Sequence, residues 1–199
     1  MVETPRGQTW NDRSMPSSRL TSDLAEQQLA ALGEIHTRFT SNGIEYWLFG
    51  GWAVDFHAGR VTREHTDLDL AAWKADLDKI TEMLEAASWL REPDDADGVV
   101  IYRRAAVCAE FALLERDEAG VIYTPVEGGR GEWPQSGFGD RILELAGIRA
   151  RVFELMALIE EKSAGYGDVR VQAKDHADVA ILLDSVALPE RRLRPTSER

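Results

Sequence analysis

Apolar positions along the chain change period several times, and each change marks an element. Leu24, Leu29, Leu32, Ile35 and Phe39 recur close to helical spacing, with Ser22 or Asp23 as a cap and Asn42-Gly43 as a stop. Tyr46-Trp47-Leu48-Phe49 is a short aromatic and apolar run that predicts a buried strand, ended by Gly50-Gly51. Trp52 to Phe56 then begins a short helix. Asp67 to Trp73 opens with strand-like alternation, and Lys74 to Ala87 places Leu77, Ile80, Leu84 and Ala87 on one helical face. Val99 to Arg103 and Val107 to Leu114 lie close enough to pair as a hairpin. Asp117 to Asp140, with its Gly-rich TPVEGGRGEWPQSGFG, predicts a long irregular connection, a kind of loop often tied to function. Two helices, Arg151 to Ser163 and Ala173 to Val186, finish the pattern.

This order predicts an α+β fold: a small mixed β-sheet with flanking helices on one side and helices at the C-terminus. Residues 1–20 are polar and aperiodic, which predicts a flexible arm. Residues 21–188 form the domain, divided near 145/146 into a catalytic α/β part and the C-terminal helices, and 189–199 form a flexible tail. A length of 199 residues supports a substantial core, and 44% hydrophobic with 29% charged content fits a soluble globular protein. No apolar run approaches the ~20 residues needed to cross a bilayer. The first residues hold no apolar signal-peptide core, so a cytoplasmic location is expected. Cys108 is the only cysteine, which excludes disulfides within one chain and cysteine-built metal sites. The net charge of −12 disfavours a nucleic-acid partner and favours a small cationic one. The expected state is a monomer or homodimer.

The chemistry centres on Asp67 and Asp69. Two residues apart on a strand, they project from one face, ~6.6 Å apart at the backbone. Leu68 and Leu70 alternate with them, so the opposite face is buried while the acidic face stays open. A hard cation such as Mg²⁺ takes one or two such carboxylates and leaves positions for water and phosphate. Upstream, the Gly50-Gly51 turn lets backbone approach a ligand closely, and the amides at the following helix start favour phosphate. An Asp-x-Asp pair alone is a weak signal. Joined to a Gly-Gly turn by one short helix and a loop, it becomes the combination that phosphoryl or nucleotidyl transfer requires.

The segment YWLFGGWAVDFHAGRVTREHTDLD resembles the signature of the polymerase β-like nucleotidyltransferases, and most closely that of the aminoglycoside (2''-type) and lincosamide adenylyltransferases. The residues that carry the likeness are Gly50, Gly51, Trp52, Asp55, Gly59, Arg60, Arg63, His65, Asp67 and Asp69. The resemblance implies ATP and Mg²⁺, with adenylyl transfer to a substrate hydroxyl and release of pyrophosphate. It also implies a third carboxylate on a neighbouring strand. Glu110, inside the apolar run Val107 to Leu114, takes that place as base, third ligand or both; Glu115, at the strand's end, is its rival. Where the family often has Asp, this chain has Glu.

In this reading Asp67 and Asp69 hold the metal, Gly50, Gly51 and Arg63 hold the triphosphate, and Glu110 accepts the hydroxyl proton. His65 orders its loop, Trp47 and Trp52 belong to the core, and Asp55 either braces the short helix or touches substrate. Lys174 resembles a late basic position of the family, or is a solvated helical lysine. His57 and His176 have no partner that would make a metal site. The acidic composition favours a cationic aminoglycoside, whereas the Gly-rich loop Glu127 to Gly131 resembles the lincosamide branch. Two other readings keep part of this chemistry: an antitoxin that adenylylates a partner protein, and an inactive relative that binds nucleotide or drug.

Overall fold

The structure, a computed structural model, describes residues 23–93, 98–164 and 169–192. The predicted arm at 1–20 lies outside the described residues. Helix α1 spans Asp23–Ser41 and strand β1 Tyr46–Leu48; helix α2, Gly50–Ala58, starts on the two glycines themselves. Strand β2 is Leu68–Trp73. A single 3₁₀ turn, Lys74–Asp76, precedes α3, Leu77–Ala86, so the helix expected from Lys74 begins one turn late. Strands β3 (Leu90–Arg91), β4 (Val99–Arg104) and β5 (Val107–Arg116) follow.

The sheet runs β1-β2-β5-β4-β3, with β2 and β5 parallel and the other pairs on this path antiparallel. The mixed sheet expected from the element order is therefore present. Leu68 and Leu70 on β2, Phe111 on β5 and Tyr102 on β4 are completely enclosed. Phe39 of α1 meets Phe111 at 6.0 Å, and Thr81 of α3 hydrogen-bonds the Tyr102 hydroxyl at 2.7 Å. Those two helices thus cover one face of the sheet. Period-two alternation then sends Asp69 and Glu110 to the other face, where each keeps some contact with water.

The stretch from Asp117 to Asp140 is not irregular. It holds strands β6 (Ile122–Val126) and β7 (Gly129–Glu132), which extend the sheet from the end of β5, and a 3₁₀ turn at Gln135–Gly137. Pro125 and the glycines argue for a loop by composition, yet Gly128, at φ +75°, closes a tight hairpin. Arg130 bonds Asp117 across it and Glu132 along its own strand, and lies over the Tyr123 ring. Trp133 then anchors the hairpin, donating to Thr124 at 2.9 Å and packing on Phe49, Phe138 and Phe153.

A second hairpin crosses the expected boundary near 145/146. Strands β8 (Ile142–Leu145) and β9 (Ile148–Arg151) meet at Ala146-Gly147, both at positive φ as a two-residue hairpin turn requires. The C-terminal helices therefore start at Leu155 rather than near 146 or at Arg151. Helix α4 is Leu155–Ser163, and α5, Val169–Arg192, runs past the expected domain end at 188. Helix α5 packs against α4 and against α2, the helix that starts on the Gly-Gly turn. Among the described residues, no helix is long and apolar enough to cross a membrane.

Candidate active site

Register brings the acids together. On the parallel pair β2–β5, Asp69 stands opposite Glu110, with Ile101 of β4 opposite Glu110 in turn. Asp67 immediately precedes β2 and accepts a hydrogen bond from the Thr66 hydroxyl at 2.9 Å. Its charge acts on both Asp69 and Glu110. Burial, reinforced by the charges of Asp67 and Glu110, pushes the Asp69 carboxyl up to about 7; Lys174 and Lys162 oppose the shift. Burial and then Asp67 also raise Glu110, against Arg103. The Cys108 thiol faces Glu110 at 3.9 Å. Glu115, the rival acid, points elsewhere: it pairs with Lys74 at 2.6 Å and accepts from the Tyr123 hydroxyl at 3.2 Å.

The turn is fitted to these acids. Gly50 has φ +63°, a conformation that L side chains resist, and a Cβ there would collide with the Asp69 carboxylate. Phe49 donates its backbone N–H to the Asp69 carbonyl at 3.0 Å, tying the end of β1 to the acid strand. A Cβ on Gly51 would come within 2.5 Å of both Arg63 Nη2 and His65 Nδ1. Both glycines are thus required by close approach, one to the acids and one to the loop before β2.

That loop is braced from below. Asp55, fully buried in α2, accepts from the Thr62 N–H at 3.1 Å, from the Thr62 hydroxyl and from His65 Nε2 at 2.6 Å. His65 stacks on Trp52 with centroids 4.6 Å apart, and its carbonyl accepts from Gln28 at 3.1 Å. Asp55 and His65 are therefore braces, and Trp47 and Trp52 are core, each about 2% exposed or less. His57 donates to the Phe153 carbonyl at 2.9 Å. Arg63 has four of its five N–H donors directed at Asp178, Glu64 and His65. The remaining N–H, on Nη2 beside Gly51, has no acceptor among these four bonds.

The donor set fits a hard divalent cation. Three mutually repelling carboxylates supply oxygen ligands, and a cation between them would relieve the repulsion that raises Asp69 and Glu110. Among the described residues, no three His, Cys, Asp or Glu converge tightly enough to hold a metal alone. A divalent cation that takes one or two carboxylates and completes its shell with water and phosphate oxygens would suit this arrangement.

Four residues on α4 and α5 were not reached from the sequence. Lys162 is buried between Asp175 at 3.0 Å and Asp178 at 3.1 Å, and Glu161 beside it is raised by burial. A lysine on the apolar face of α4, with acids three apart on the next helix, was the available signal.

A mixed sheet with acids on a parallel strand pair, beside a helix that starts on Gly-Gly, defines a nucleotidyltransferase fold. Solved structures of that class agree. The lincosamide antibiotic adenylyltransferase LnuA bound to lincomycin superposes with a TM-score of 0.63 at 21% identity, covering 82% of this chain and 99% of that one. ANT(2'')-Ia in complex with adenylyl-2''-tobramycin gives 0.62 at 17% identity, covering 82% and 92%. At such identities the likeness speaks for the fold.

The chain belongs to the aminoglycoside-2''-adenylyltransferase family, whose model matches residues 31–182. A 2''-aminoglycoside nucleotidyltransferase of Escherichia coli is 37% identical over 60 residues, and one of Klebsiella pneumoniae 35%. Those alignments cover 29% of this chain and 34% of each relative.

Proposed function

We propose that this protein transfers AMP from ATP to a hydroxyl of an antibiotic, with an aminoglycoside as the preferred acceptor and a lincosamide as the second choice. The observation that carries the proposal is the pairing of Asp69 with Glu110 across parallel strands, with Asp67 beside them and Gly50 packed on Asp69. Family membership and the net charge of −12 support the cationic acceptor.

Asp67 and Asp69 would hold Mg²⁺, which when bound neutralises charge on the triphosphate. The amides at the start of α2 face the donor phosphates, and the exposed Lys174, whose charge reaches Asp69, adds a cation on that side. Arg63 contributes its remaining N–H at Gly51. Glu110, held above the usual carboxylate range, accepts the acceptor hydroxyl proton. The hydroxyl oxygen forms a bond to the α-phosphorus, the bond to the β-phosphate oxygen breaks, and pyrophosphate leaves. The acceptor therefore gains one adenylyl group and loses one proton.

The test is incubation of the full chain with Mg²⁺-ATP and a panel of aminoglycosides and lincosamides, following pyrophosphate release and drug mass. Adenylated drug is the expected product. Nucleotide binding with no product from either class removes the antibiotic assignment and leaves a nucleotide-binding relative. Labelling of a co-expressed protein instead would transfer the reading to an antitoxin.

A further inference from the structure

A chain of alternating charges runs from the C-terminal helices to the Gly-Gly turn. It begins at Asp175, continues through Lys162 and reaches Asp178, which is 1% exposed. Asp178 accepts from Arg63 as well, from Nε at 3.5 Å and from Nη2 at 3.2 Å. Arg63 then donates from Nη1 to the Glu64 carbonyl at 3.2 Å and to His65 Nδ1 at 2.9 Å. A guanidinium only donates, so Nδ1 is the acceptor and the ring carries its proton on Nε2. That proton is donated to Asp55, inside the helix that starts at Gly50. Gly51 packs directly on this chain, because only the absence of a Cβ admits Arg63 and His65.

Stability alone is a poor reason for such a chain. Buried ion pairs are on the whole no more stabilising than well-packed apolar side chains of similar volume, whereas they fix geometry. Here the fixed geometry is that of Arg63, whose fork is held from α5 at one end and the turn loop at the other.

We propose that Asp178 is a positioning residue for the donor nucleotide: it holds Arg63, and through Arg63 and His65 it sets the Gly50-Gly51 turn. The C-terminal helices thereby dictate the shape of the phosphate seat without touching the phosphates. This rests on the reading of that turn as the triphosphate site.

Asp178→Asn in the full chain keeps the side-chain volume but loses the charge and one acceptor. The KM for Mg²⁺-ATP should rise about tenfold, the scale set by one charge-assisted hydrogen bond. The Kd of a non-hydrolysable ATP analogue should rise by the same factor, while the KM for the drug stays within about twofold. The backbone amide of Ala53, the first of α2 with a helical hydrogen bond (to the Phe49 carbonyl), should exchange hydrogen faster in the ligand-free variant, with α1 unchanged. If the variant does not fold because Lys162 loses a partner, Asp178→Asn is made in a Lys162→Met background, and the same ATP defect is expected relative to Lys162→Met alone, since the Lys162 charge itself acts on Asp69. Unchanged ATP KM and Kd, or equal changes for both substrates, would overturn the proposal. A wild-type protein that binds no nucleotide sinks the phosphate-seat reading instead. In that event the exchange experiment decides whether Asp178 controls the turn: faster exchange at Ala53 supports the link, and unchanged exchange removes it.

Discussion

Asp69→Asn should destroy transfer and make the metal-free protein more stable. The second half follows from the carboxyl's position. Burial and the charges of Asp67 and Glu110 raise it from 3.8 to about 7, so the folded chain binds its proton more tightly than the unfolded chain. Such a group lowers stability as pH rises. Below 3.8 the carboxyl is protonated in both states and imposes nothing; between 3.8 and about 7 the penalty grows; above that it is complete. At about 1.4 kcal/mol per pH unit the ceiling is about 4 kcal/mol. Asp69 keeps some contact with water, which screens part of this, so a gain of about 1–3 kcal/mol is expected from the neutral amide near pH 8. Urea denaturation in a chelator, followed by tryptophan fluorescence at about pH 8, 6 and 4, measures it. The gain should shrink steadily toward pH 4. A variant less stable than wild type at pH 8, or a gain independent of pH, would refute the electrostatic account. In the presence of Mg²⁺ and ATP, the same variant should lose at least about 10³ in kcat.

Other perturbations separate the roles of the remaining groups. Glu110→Gln should lower kcat by about 10²–10⁴ with little change in the KM for ATP, and Glu110→Asp should restore part of it; steady-state kinetics with both substrates varied will show this. Gly50→Ala places a side chain at φ +63° against Asp69, so it should cost about 2 kcal/mol or more and weaken nucleotide binding beyond that loss of stability. Melting curves and calorimetric titration distinguish the two effects. Magnesium should raise the melting temperature more near pH 8 than near pH 5, because protons on Asp69 compete with the cation, and Asp69→Asn should abolish that difference.

Much of the site was legible because its signals are local. Gly50-Gly51 and Asp67-Leu68-Asp69 lie within one strand–helix–strand unit, and each residue has a short-range reason to be where it is. Glu110 could be picked out as an acid in an apolar run, but its partner could not. Its register against Asp69 depends on a parallel pairing across α3, β3 and β4, which no local pattern encodes. The hairpin β6–β7 was hidden by composition: Pro125 and the glycines predict a loop, while the pairing is held by Arg130 and by Trp133 on Phe49. The hairpin β8–β9 is not predicted, and the 145/146 boundary divides it, because its turn, Ala146-Gly147, has an alanine in a conformation that residue seldom adopts. Asp178 is buried by the packing of α5 on α2 and α4, a contact between elements distant in the chain.

Two charge clusters therefore lie within one domain, and they are built on opposite principles. Along Asp175, Lys162, Asp178 and Arg63 each acid meets a cation, and every bond serves to hold a neighbour in place. At Asp67, Asp69 and Glu110 acids are set against acids, and two of the three are driven upward by burial and like charge. A sequence selected for stability alone would not keep the second arrangement, since one amide at position 69 would relieve it. A cation and a triphosphate would complete it. The balanced cluster makes the turn rigid, the unbalanced one remains receptive, and Gly50 and Gly51 sit between them with no side chain to intervene.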